Sequence, residues 1–154
     1  MGIIDEIEGD LIYLDTNIVI YALEGYPEYV SLLTDLFSAI DEGDLTAATS
    51  ELTLAEALIK PMMDGNSSLE KLYLETLSPS STLSIIPIDR SILIEAARLR
   101  SRIETLHLPD AIHLATARIH QCNLFLTNDR RLRNFPDVHV VLLSESGFGD
   151  GINQ

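Results

Sequence analysis

Four acids sit among apolar neighbours: Asp15, Glu56, Asp110 and Asp129. Asp15 ends the run "LIYLD", and Asn17 follows it before a second apolar run, "IVIYAL". Glu56 lies inside "TLAEAL", Asp110 opens "LPDAIHLATA" two residues after Leu108, and Asp129 follows Thr127 in "LFLTND". An isolated ionised carboxylate is costly to bury, so each must be solvated, paired, hydrogen-bonded or bound to a cation. Each has an ordinary role open to it. Asp15 can cap the next helix, Asp110 can complement a helix dipole, Asp129 can make an Asx-turn, and Glu56 can pair with an arginine. Gathered in one place, however, the four would repel one another. They are tolerable together only with raised pKa values or a bound cation. An all-oxygen donor set selects a hard ion, Mg²⁺ or Mn²⁺, and Asp15 is read on that ground as a metal ligand.

The elements that must carry these acids follow from the hydrophobic pattern. Apolar runs at 11–15, 45–49, 83–88, 124–127 and 138–143 read as strands. Helical spacing covers 17–25, 27–43, 50–63, "SSLEKLYLETL", "RSILIEAARLRSRIE" and 108–122. Pro27 and Gly43 bracket the second helix in the usual asymmetry. Ser50 and Asp89 read as N-caps, and Ser67 with Glu70 as a capping box. The order is β-α-α-β-α-α-β-α-α-β-β, and the strands are apolar throughout, as in a parallel sheet covered on both faces. Ligands of such sheets bind beyond the carboxyl ends of the strands. Two of the acids follow strand ends, one lies in a helix's first turn, and a mid-helix Glu56 can face the same edge.

The 154 residues suggest one domain over 1–154, with a core at about 11–143 and a Gly-rich tail at 144–154 expected to be frayed. At 46% hydrophobic residues the chain fits a globular protein and not a disordered one. No apolar stretch is long enough for a membrane span, and the acidic start lacks the plan of a signal peptide. The single cysteine, Cys122, excludes an internal disulfide; in an apolar helical pattern it reads as a buried, inert thiol. A cytoplasmic protein is expected. The net charge of −14 disfavours polyanion partners on average. Yet all eight arginines lie between residues 90 and 133, so the later third carries a concentrated cationic surface. Phosphate-loop, dinucleotide and C-x-x-C motifs are absent, and so is a nucleophile elbow. A phosphoaspartyl phosphatase would want a second Asp at position 17, where Asn17 stands. His113, on the same helix side as Asp110, reads as a packed, hydrogen-bonded histidine.

Taken in order, "LDTNIVIYAL", "TLAEAL", "LPDAIHLATA" and "LFLTNDRRL" resemble the PIN domain family, and within it the VapC-type ribonucleases of toxin–antitoxin pairs and their stand-alone relatives. The resemblance runs from about residue 11 to 143, and its last two motifs are the most specific. It implies a three-layer α/β/α fold with a parallel sheet of about five strands in the order 3-2-1-4-5. It also implies Mg²⁺- or Mn²⁺-dependent hydrolysis of phosphodiester bonds, usually in RNA. The family's acidic site falls on Asp15, Glu56, Asp110 and Asp129, with Thr127 and Asn17 as supporting polar residues. An antitoxin protein and a homodimer along the early helices are the partners it implies.

The leading expectation is therefore an endoribonuclease, in which one or two hard cations orient and acidify a water and stabilise charge on the scissile phosphate. Arg130 and Arg131, immediately after Asp129, are expected to contact substrate phosphates as bidentate donors. The rivals are a non-catalytic module that holds a structural cation or a basic partner segment, and a phosphomonoesterase on a similar scaffold.

Overall fold

Alternation along the first strand sets the layering. In the computed structural model, which describes residues 11–145, Ile12 and Leu14 face one side of the sheet and Tyr13 the other. The elements are β1 (Leu11–Leu14), α1 (Thr16–Glu24), α2 (Val30–Asp41), β2 (Thr46–Ser50), α3 (Glu51–Met63), α4 (Ser67–Thr76), β3 (Leu83–Ile86), α5 (Arg90–Arg102), α6 (Leu108–Ile119), β4 (Leu124–Thr127) and β5 (Val140–Leu142). The five strands are parallel in the order β3-β2-β1-β4-β5, as the sequence motifs imply. One core packs Ile12, Leu14, Leu33, Leu36, Tyr73 and Leu126 under α1 to α4. The other packs Tyr13, Phe125, Ile92, Leu99 and Ala115 under α5 and α6. Two covered faces explain why the strands read as unbroken apolar runs.

The strand order reverses between β1 and β4. These neighbours pair Tyr13 with Phe125 and Leu14 with Leu126, and the Tyr13 and Phe125 rings stack at 5.0 Å. The reversal opens a crevice at their carboxyl ends, where ligands of open α/β sheets bind. Asp15 and Thr127 stand at its lip.

Local chemistry fixes the helix starts. Asp15, Ser50 and Asp89 accept hydrogen bonds from the first-turn amides of α1, α3 and α5. The capping box at Ser67 does not form. Asn66 is the cap of α4, its Oδ1 accepting from Leu69 N at 3.1 Å, so the helix begins at Ser67, one residue earlier than a Ser67 cap requires. The helix expected from Pro27 begins at Val30, because the amides of Tyr29 and Val30 both turn back to the Tyr26 carbonyl. Gly25 ends α1 with φ +66°, a left-handed conformation that favours glycine. The last strand is shorter than 138–143 and passes into a 3₁₀ turn at Leu143–Glu145. α6 stops at Ile119, so Cys122 lies in the turn after it, half-buried, and burial pushes its thiol up to about 11. The acidic start and residues 146–154 of the expected tail lie outside the described residues. No helix among the described residues is long and apolar enough to cross a membrane.

Candidate active site

Asp15 is 8% exposed at the end of β1. Its Oδ1 accepts from Thr16 N at 2.9 Å and its Oδ2 from the Thr127 hydroxyl at 2.7 Å. Burial raises its pKa above the usual aspartate range; nearby His113 and the two hydrogen bonds pull the other way and do not cancel the rise. The same residue thus serves as the cap of α1 and as a carboxylate whose charge lacks full compensation.

Glu56, one turn into α3, is joined to this corner through shared partners. The Thr16 hydroxyl donates to Glu56 Oε1 at 2.8 Å, and His113 Nε2 lies 2.7 Å from the same oxygen and 3.9 Å from Asp15 Oδ1. On its other nitrogen His113 meets the Tyr13 hydroxyl at 2.6 Å. Burial holds the Tyr13 phenol well above its ordinary pKa, so it stays protonated. When that hydroxyl donates to Nδ1, the Nε2 proton is left to Glu56. Burial alone would raise Glu56, but the His113 contact and the Thr16 hydroxyl outweigh it and its pKa is lowered.

Asp110 and Asp129 form a second pair. Asp110, in the first turn of α6, accepts from His107 N at 3.2 Å. The Arg131 guanidinium spans both acids, with Nη2 2.5 Å from Asp129 Oδ2 and 3.2 Å from Asp110 Oδ2. Its Nε also reaches Asp129, and the Arg131 amide donates to Asp129 Oδ1 at 3.0 Å. Burial tends to raise Asp129, yet these bonds carry it below the ordinary range. Arg130 is exposed and forms no ion pair among the described residues, whereas Arg133 pairs with Glu145. Arg130, Arg131 and Arg133 line a cleft with Ile103 and Phe135.

Thr127 links the pairs: it donates to Asp15 and accepts from the Asp129 amide at 3.1 Å. Asn17 Nδ2 lies 3.4 Å from the same hydroxyl, and Asn17 Oδ1 accepts from Asn128 N at 3.3 Å. All four acids therefore face the carboxyl edge of the sheet, as two bridged pairs. Among the described residues no three His, Cys, Asp or Glu side chains converge into a ready-made metal cage. The donor set is nonetheless all oxygen, the charge on Asp15 is under-compensated, and a side-chain cation already stands between Asp110 and Asp129. That chemistry fits a hard divalent ion once Arg131 yields its place.

Thr16, His113 and Asn128 complete the network and were not assigned to the site from sequence. The three-residue spacing of Asp110 and His113 and the "DTN" and "TND" triplets were the available signals.

The PIN domain family model matches residues 12–138. No curated protein matches the sequence. Among solved structures, a toxin–antitoxin complex from Klebsiella pneumoniae is 27% identical with a TM-score of 0.65, covering 86% of this chain and 97% of its own. VapBC2 from Rickettsia felis, bound to a DNA fragment from its promoter, is 20% identical with a TM-score of 0.67, covering 86% and 98%. VapC20 from Mycobacterium tuberculosis, a toxin that cleaves the sarcin–ricin loop, is 14% identical with a TM-score of 0.66, covering 83% and 98%.

Proposed function

This chain belongs to the PIN domain family, and on that footing we propose that it is a metal-dependent endoribonuclease, the toxin of a toxin–antitoxin pair. The observation that carries the proposal is the tie between the acids at the ends of β1 and β4: Thr127 donates to Asp15 and accepts from the Asp129 amide. In the proposal Asp15, Asp110 and Asp129 hold Mg²⁺ or Mn²⁺, with Glu56 acting directly or through water. Such an ion, when bound, supplies Lewis acidity to the scissile phosphate and lowers the pKa of an attacking water.

The chain's own residues do the rest. Thr127 fixes the rotamer of Asp15, and Asn17 steadies the 127–128 turn. Arg131 holds Asp110 and Asp129 together; with a cation held by those two acids, its fork would be available to a substrate phosphate. Arg130 and Arg133 extend the cationic cleft for the RNA backbone. Relatives of this fold were solved as complexes with antitoxins, and an antitoxin partner is part of the proposal. So are a homodimer and a cytoplasmic setting, in keeping with one unpaired thiol.

The bridging of Asp110 and Asp129 by Arg131 favours one other reading, a module that binds without turnover. Incubation of the purified protein with single-stranded RNA separates the two. The ribonuclease reading expects cleavage in Mg²⁺ or Mn²⁺, lost on chelation and in Asp15→Asn. RNA left intact in both metals would overturn it, and hydrolysis of a small chromogenic phosphate ester alone would make the protein a phosphomonoesterase.

A further inference from the structure

Three of the five tyrosines gather on one corner of the molecule. The Tyr21 ring lies 5.0 Å from Tyr29, stacked at 24°, and 4.7 Å from Tyr26, tilted at 40°. The other two tyrosines are fully buried with bonded hydroxyls, Tyr13 to His113 and Tyr73 to Glu24. Tyr26 is unlike them. It is 39% exposed, belongs to neither core, and its hydroxyl has no partner among the described residues. The cluster is tied to the candidate active site at one point. Asn128, between Thr127 and Asp129, donates its Nδ2 to the Tyr29 hydroxyl at 3.0 Å. The opposite end of the Asn128 amide accepts from Ser144 N, so its orientation is held. Tyr21 follows Asn17 by four residues on α1, one turn along the same helix face.

Charge makes this corner informative. No lysine or arginine occurs before Lys60, so α1 and α2 offer a polyanion no cation at all. A strand of RNA leaving the acidic crevice on this side must be held by something other than phosphate pairing. Stacked aromatic rings hold single-stranded bases without regard to charge or sequence.

We propose that Tyr21, Tyr26 and Tyr29 form a stacking platform for a nucleobase of single-stranded RNA that runs from the crevice along α1, with Tyr29 at the end nearest the acids. Tyr26 supplies the accessible ring, Tyr21 backs it, and Tyr29 in turn backs Tyr21. The inference rests on the ribonuclease reading, which the experiment tests separately. The chain contains no tryptophan, so Tyr26→Trp introduces a single indole reporter. This variant is titrated, in Ca²⁺ to suppress cleavage, with a six-residue oligoadenylate and with an abasic ribose-phosphate hexamer of equal charge. The oligoadenylate is expected to quench the indole and the abasic chain to leave it bright. Tyr26→Leu should weaken oligoadenylate binding roughly 5- to 150-fold, the range expected for one stacked base, without changing the abasic affinity. Tyr26→Phe should restore it, because the ring face does the work. The thermal midpoint of each variant checks that it is folded. Equal oligoadenylate affinity in Tyr26→Leu and wild type, with wild type still cleaving RNA in Mg²⁺, removes the platform and leaves the nuclease. Wild type that cleaves no RNA in either metal removes both.

Discussion

Thr127 donates its hydroxyl proton to Asp15 Oδ2 at 2.7 Å across the junction of β4 and β1. Both residues are buried, so water cannot replace the bond if it is lost. Thr127→Val keeps the shape and removes the donor. It is expected to cost about 1–3 kcal/mol of stability, to raise the Asp15 pKa further, and to lower RNA cleavage with its acid limb moved to higher pH. Thr127→Ser should recover most of the activity. Urea unfolding and a pH–rate profile check this, and a Val variant with an unshifted acid limb would detach Thr127 from Asp15's function.

Asp15 itself carries a sign that can be measured. Burial raises its pKa in the folded protein, so the folded state holds the proton more tightly than the unfolded chain does. Its contribution to stability is then unfavourable, grows as pH rises from the unfolded value through the folded one, and persists at neutral pH. Asp15→Asn keeps an oxygen for the Thr16 amide and turns an NH₂ group toward the Thr127 hydroxyl, which can accept from it, while removing the charge. The thermal midpoint of the metal-free variant should equal or exceed that of wild type at pH 7, and the difference should vanish below the ordinary aspartate range. A variant markedly less stable at pH 7 would mean that the carboxylate charge is compensated by something else.

Arg131 and a divalent cation compete for the same two acids. Arg131→Ala should therefore bind Mg²⁺ more tightly than wild type, with a larger Mg²⁺-induced rise in thermal midpoint. The metal-free variant should lose at most about 1 kcal/mol, because the guanidinium is half-exposed. Asp110→Asn should show the opposite, a reduced Mg²⁺ shift on a metal-free fold no less stable than wild type. Calorimetric titration with Mg²⁺ reads both; identical affinities in all three proteins would exclude Asp110 and Arg131 from the metal's surroundings.

A chain of net charge −14 attracts RNA poorly at long range. If the backbone touches only Arg130, Arg131 and Arg133, the log–log salt slope should be shallow, about 2 in magnitude at roughly 0.7 per contact. Arg130→Ala combined with Arg131→Ala should reduce that slope and weaken binding equally for all sequences. Titrations in Ca²⁺ over several salt concentrations measure it. A slope unchanged by the double substitution takes both arginines out of RNA binding.

The fold was legible because its signals are local. Unbroken apolar strands, Asp89 as a cap and Gly25 as a stop each depend on a few neighbouring residues. Errors fell where two local solutions compete. Asn66 and Ser67 can both cap α4, and only the path of the preceding turn decides between them. Within the site, the edge that Asp15 and Asp129 occupy could be read from strand ends. The bonds between acids could not, because each is made by a third residue far away in sequence. Thr16 meets Glu56, and Tyr13 meets His113, only after the sheet has assembled. The Arg131 fork was hidden for a different reason. A long flexible side chain next to Asp129 has a phosphate, solvent or a carboxylate open to it, and nothing in the string of letters selects one.

The pairing of β1 with β4 has a consequence during synthesis. Asp15 leaves the ribosome before the hydroxyl that orients it, which comes 112 residues later. Asp129 and Arg131 come later still. Until β4 docks against β1, Ile12 and Leu14 lack the strand beside them, and the acids lack the turn that joins the two pairs. A nascent or truncated chain ending before Thr127 therefore holds Asp15, Glu56 and Asp110 without the strand and turn that join them to Asp129. The β1/β4 junction is therefore completed only once the segment from Thr127 to Arg131 has been made, and a chain that stops before it lacks that junction altogether.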